Sequence, residues 1–104
     1  MLMSGDAVAA TAVALFGDPL RARIVHLLTA EQMCTCHLIA ETGARQTTIS
    51  HHLRLLREAG LVETEPRGRF TYYRLRPEAL ADLAAGLGDL ARRAEQANAS
   101  YRPC

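Results

Sequence analysis

Cys34, Cys36 and Cys104 are the only thiols of this 104-residue chain, and one residue separates the first two. Thiolates prefer soft or borderline ions. Two of them need a third donor. Cys104 completes a three-sulfur set suited to trivalent arsenic or antimony, and the seven residues after Ala97 extend far enough to carry it (about 23–25 Å). His37 is the competing donor. It lies three residues after Cys34, on the same face if both are helical, and a Cys/His pair suits zinc, cadmium or nickel. The same two thiols could instead exchange disulfides, respond to oxidation or hand on a metal. A buried cysteine can also be no more than a small hydrophobe. An odd thiol count and a one-residue spacing fit poorly with a structural disulfide and point to reduced thiols in the cytoplasm.

A second set of side chains suits nucleic acid. At 100° per residue, Ile49, Leu53 and Leu56 share one helix face, while Thr47, Ser50, His51, Arg54 and Glu58 lie opposite. Hydroxyls, an imidazole and a guanidinium match base edges and phosphates in a major groove, with Gln46 at the leading end. Arg67 and Arg69 flank Gly68, where they can reach a phosphate or a narrow minor groove. All 12 cationic side chains are Arg, whose planar fork donates two hydrogen bonds at once. From Arg45 to Arg76 seven Arg face three acids, and the remainder of the chain is net acidic. A basic block in an acidic frame presents one face to a polyanion.

The elements that must hold these groups follow from local signals. Residues 6–16 read as an amphipathic helix. Asp18-Pro19 opens a second helix, carried by Leu20, Ile24, Leu27 and Leu28 to Ala30. A third spans 34–42 and stops at Gly43, and a fourth spans 46–59 and stops at Gly60. Segments 61–66 and 70–75 form a hairpin around Arg67-Gly68-Arg69. Pro77 opens a final helix to Ala97, with Leu80, Leu83, Leu87 and Leu90 along one stripe. This is a mainly α winged helix-turn-helix with about five helices and a two-stranded wing. It forms one domain over 1–104, small enough that pairing with a second copy adds useful apolar burial. Residues two apart on a regular helix point about 200° apart, so binding one ion through Cys34 and Cys36 is expected to unwind the third helix. His26 and His52 are expected to pack or face solvent. No triad, phosphate loop or paired acids suggest an enzyme, and no stretch reads as a signal peptide or membrane span.

The stretches "FGDPLRARIVHLL" and "CTCHLIAETGARQTTISHHLRLLREAGLVETEPRGRFTYYRLRPEAL" resemble the ArsR/SmtB family of metal-responsive bacterial repressors. The resemblance covers about residues 15–80 and is most specific in the CxC, in "TTISHHLRLLREAGLV" and in "RGRFTYYRL". It implies a homodimer that pairs helices 6–16 and 77–97. The helix-turn-helix (34–59) and wing (61–75) then meet an inverted-repeat operator in double-stranded DNA. Contacts come from Gln46, Thr47, Thr48, Ser50, His51 and Arg54, with Arg67 and Arg69 from the wing. It further implies that Cys34 and Cys36 sense a metal, with arsenite or antimonite favoured over cadmium, lead, zinc or nickel, and that binding releases the operator. Residues 98–104 form a flexible tail. Arg45 departs from the Ser often found as helix cap in the family. The last helix carries Asp82 and Asp89 but no His, so no metal site is expected there.

Overall fold

Asp18 caps the second helix of the protein. In the computed structural model, which describes residues 5–104, its carboxylate accepts the Arg21 N–H at 3.0 Å and Pro19 occupies the first turn. The first four positions of the expected domain lie outside the described residues. The described order is α1 (Gly5–Phe16), α2 (Pro19–Leu28), β1 (Met33–Cys34), α3 (Thr35–Thr42), α4 (Gln46–Glu58), β2 (Val62–Arg67), β3 (Phe70–Leu75) and α5 (Pro77–Ala97). The winged helix-turn-helix expectation therefore holds.

Two of its details change. The sheet has three antiparallel strands in the order β1-β3-β2, because Met33 pairs with Tyr73 and Cys34 with Tyr72. The third helix consequently starts at Thr35. Cys34 stands before it in extended conformation (φ −84°, ψ 170°) as the N-cap residue. Its backbone is committed to the sheet, so the helical angle assumed between Cys34 and Cys36 does not apply.

Gly43 ends α3 at φ 72°, a left-handed conformation that costs other residues about 1–2 kcal/mol, and its N–H bonds to Ile39 at 2.8 Å. The short turn places α4 across α3. In the hairpin Arg67 pairs with Phe70, leaving Gly68-Arg69 as a two-residue loop with Gly68 at φ 63°. Arg67 is thus the last residue of β2.

Ile24, Leu38, Ile49, Leu53, Leu56 and Leu61 are fully buried and tie α2, α3, α4 and the base of the wing into one core. Burial of each such side chain contributes about 1.5–3 kcal/mol before conformational entropy is counted. Ala12 and Leu15 join α1 to this core, and Leu83 does so for α5. The apolar stripe of α5 then splits. Leu80 is half-buried and Leu83 buried, but Leu87 and Leu90 are 43% and 38% exposed, and Val13 of α1 is 62% exposed. The radius of gyration is 16.7 Å, against about 13 Å for a compact chain of this length. Among the described residues, no helix is long and apolar enough to cross a membrane.

Candidate nucleic-acid interface and thiol centre

The inward face of α4 consists of Ile49, His52, Leu53 and Leu56. Burying them turns Gln46, Thr47, Ser50, His51 and Arg54 outward, where the five line one surface depression. Thr48 is half-buried, at the edge of this face. Arg54 donates to His51 Nδ1 at 3.2 Å and approaches Glu58 at 4.0 Å, so the outer face is partly ordered before any ligand arrives.

His52 has a different role from its exposed neighbour. Its ring is buried, Nδ1 accepts from Arg21 Nε at 3.2 Å, and Nε2 lies 3.8 Å from Asp18. Arg21 also donates to the Ala14 carbonyl at 3.0 Å. One guanidinium therefore fastens α4 to α2 and α1. Burial holds the His52 imidazole below its ordinary 6.5, with Asp18 opposing and Arg21 and His51 reinforcing the shift. The Arg21 N–H holds the Asp18 carboxyl below its own usual value. The packing alternative considered for His52 is the one observed, whereas His26 is exposed.

The basic block divides by partner. Arg74 bridges Glu63 (2.9 Å) and Glu65 (3.1 Å), and Arg76 binds Glu78 (2.9 Å) and the Gly60 carbonyl (2.8 Å). These two arginines brace the base of the wing. Arg67 reaches Glu65 at 3.3 Å and lies over the Tyr72 ring, 5.8 Å from its centroid. Among the described residues Arg45, Arg57 and Arg69 have no ion-pair partner, and all three are exposed. Arg45 caps α4 through its backbone alone. Sequence reading passed over Arg45 and Arg57 as phosphate candidates. Their signal was positional: Arg45 precedes the outer face and Arg57 follows Arg54 by three residues.

Cys34, Cys36 and His37 offer ligand atoms that all lie within 4.8 Å of one another. Cys34 is buried, while Cys36 and His37 are exposed. The two sulfurs are bonded to each other, contrary to the expectation of free thiols. The helical backbone at Thr35 sets the two Cα atoms 5.4 Å apart, within the usual range for a disulfide, and the extended conformation at Cys34 takes its side chain off the direction a regular helix would give it. His37 Nδ1 accepts the Cys34 N–H at 3.2 Å, and its ring meets Tyr72 edge-on at 5.8 Å. Cys104 is exposed at the end of the tail and is not part of this cluster. In reduced form, two sulfurs and an imidazole make a donor set that fits soft and borderline ions.

Residues 18–64 match the family model described as bacterial regulatory protein, arsR family. The chain is 40% identical over 83 residues to the arsenical resistance operon repressor of Escherichia coli, covering 79% of this chain and 70% of that protein. The chain belongs to the ArsR family. An arsenic resistance transcriptional regulator of Pseudomonas putida is 42% identical over 62 residues, or 59% of this chain and 48% of that protein. The chain thus spans about half the length of some of the curated ArsR relatives it matches. A crystal structure of a possible transcriptional regulator for arsenical resistance superposes with a TM-score of 0.68 at 35% identity, covering 97% of this chain and all of that one. ArsR proteins are regulators rather than enzymes, and the residues matched by the family model include the helix-turn-helix described above.

Proposed function

We propose that this protein is a DNA-binding transcriptional repressor, acting in the cytoplasm as a homodimer and released from its operator by a soft metal or metalloid. The observation that carries the DNA-binding part is the outward face of α4, where five polar side chains share one depression beside an arginine-tipped wing. Gln46, Thr47, Thr48, Ser50, His51 and Arg54 read the major groove, and Arg67 and Arg69 hold the flanking backbone or minor groove. Arg45 and Arg57 add phosphate contacts. The dimer forms through α1 and α5, whose exposed Val13, Leu87 and Leu90 otherwise face water.

Cys34 and Cys36 hold the inducer. Arsenite or antimonite is favoured if Cys104 supplies the third sulfur, from the same or the partner subunit. Cadmium, lead, zinc or nickel is favoured if His37 does. The Escherichia coli relative is named as a repressor of an arsenical resistance operon, which supports this reading. A second reading, response to thiol oxidation, is favoured by the Cys34–Cys36 bond itself. It requires an oxidant of the peroxide class to take two electrons from the two thiols as they release two protons.

The test is a fluorescence titration of labelled inverted-repeat DNA with reduced protein, adding arsenite, cadmium, zinc and nickel in turn. Release by arsenite that Cys104→Ser abolishes supports the three-sulfur site. Normal release from Cys36→Ser would falsify the thiolate sensor.

A further inference from the structure

Because Cys34 already lies outside α3, an ion at Cys34, Cys36 and His37 need not unwind that helix. Metal-dependent release then needs another connection between the thiol centre and the DNA-facing surface. Tyr72 of β3 touches both. Its backbone pairs with Cys34 across β1–β3 and with Glu65 across β2–β3. Its ring meets His37 edge-on at 5.8 Å, and the Arg67 guanidinium lies 5.8 Å from the centre of the same ring. Glu65, paired opposite Tyr72, is also the carboxylate that Arg67 reaches at 3.3 Å. Half-buried Tyr72 thus contacts a donor of the thiol centre on one side and a wing arginine on the other.

We propose that Tyr72 is a positioning residue that couples occupancy of the thiol centre to the placement of Arg67 on DNA. Drawing the His37 imidazole onto an ion changes the edge contact that orients the Tyr72 ring. The ring sets where the Arg67 guanidinium rests, since a cation over an aromatic face is held by the ring quadrupole. Metal and DNA then favour different arrangements of one His37–Tyr72–Arg67 stack, which gives each ligand the differential affinity that coupling requires. The inference rests on the metal-responsive repressor reading. The competing route runs through α3 directly into α4.

The experiment uses the reduced full chain and duplexes that the wild type selects from a library with a randomised core of roughly 30 base pairs, enough for two half-sites. DNA affinity is measured with and without cadmium, the ion whose donor set would include His37, while ultraviolet thiolate-to-metal absorption follows ion binding. Wild type should lose DNA affinity about 5–150-fold on metal addition, the range of ordinary allosteric coupling. Tyr72→Leu should bind the ion as wild type does and bind DNA without it, yet show a metal effect within about twofold, and Tyr72→Phe should restore the wild-type ratio. Should Tyr72→Leu misfold, Arg67→Gln on the exposed wing gives the same readout: weaker DNA binding with a shrunken metal ratio. A full ratio in Tyr72→Leu, or in Arg67→Gln, overturns the inference and assigns coupling to α3. A wild type that selects no sequence, or whose DNA binding no ion changes, overturns the repressor reading instead.

Discussion

His37 Nδ1 lies 3.4 Å from Cys34 Sγ and 3.2 Å from the Cys34 backbone nitrogen. One imidazole nitrogen thus serves both as an acceptor at the start of α3 and as a neighbour of the thiol centre. An ion bound through Nδ1 must displace the Cys34 N–H, whereas one bound through Nε2 leaves it in place.

This double role sets the outcome for His37→Ala. Loss of this acceptor should destabilise the protein by about 0.5–1.5 kcal/mol, the net worth of one hydrogen bond. Urea unfolding measures that term. Cadmium affinity should fall while arsenite affinity changes little, because only the divalent ion needs the imidazole. Unchanged cadmium binding in a spectroscopic titration removes His37 from the ligand set.

The exposed face of α4 and the wing tip should contribute differently to DNA binding. Arg54→Ala is expected to weaken selected DNA by about 1–3 kcal/mol, with little effect on non-specific duplex. Arg69→Ala should weaken both and lower the salt slope by about one. Titrations at several salt concentrations separate the two. Equal losses on both DNAs for Arg54→Ala mean that it contacts phosphate only.

Stability should fall in mild acid through His52. Its folded value lies below 6.5, so as pH drops below about 6.5 the unfolded chain takes up a proton that the folded protein refuses. The stabilisation is fully present above that pH and is lost as pH falls through the depressed folded value. Protonation also ends acceptance of the Arg21 N–H. His52→Gln should flatten this part of a denaturation-versus-pH profile. An unchanged slope means that another group is responsible.

Leu87 and Leu90 provide the test of the dimer. A charge at either site has no effect on a monomer's core, since both are exposed within one chain. Leu87→Asp should convert a dimer to monomers in sedimentation and reduce DNA affinity, because two half-sites are no longer engaged together. If wild type sediments as a monomer at micromolar concentration, pairing through α1 and α5 is excluded under those conditions.

Most helices were legible in the sequence because their boundaries are written in neighbouring residues: Asp18-Pro19, Gly43, Gly60 and Pro77 each act within one turn of chain. The inward and outward faces of α4 were equally legible, since helical period alone separates Ile49, Leu53 and Leu56 from Ser50, His51 and Arg54. Features that depend on residues distant in sequence were not. β1 is two residues long and exists only because β3 returns to pair with it, and that pairing takes Cys34 out of α3 and brings its sulfur to Cys36. Likewise, the burial of His52 depends on Asp18 and Arg21 arriving from α2. The division of seven arginines into bracing and exposed groups depends on which carboxylates the hairpin register sets beside Arg74. Composition and period determine which side chains are available and which way a helix turns them. Only the tertiary structure decides which of them meet, because backbone pairing and ion pairing are satisfied by proximity in space.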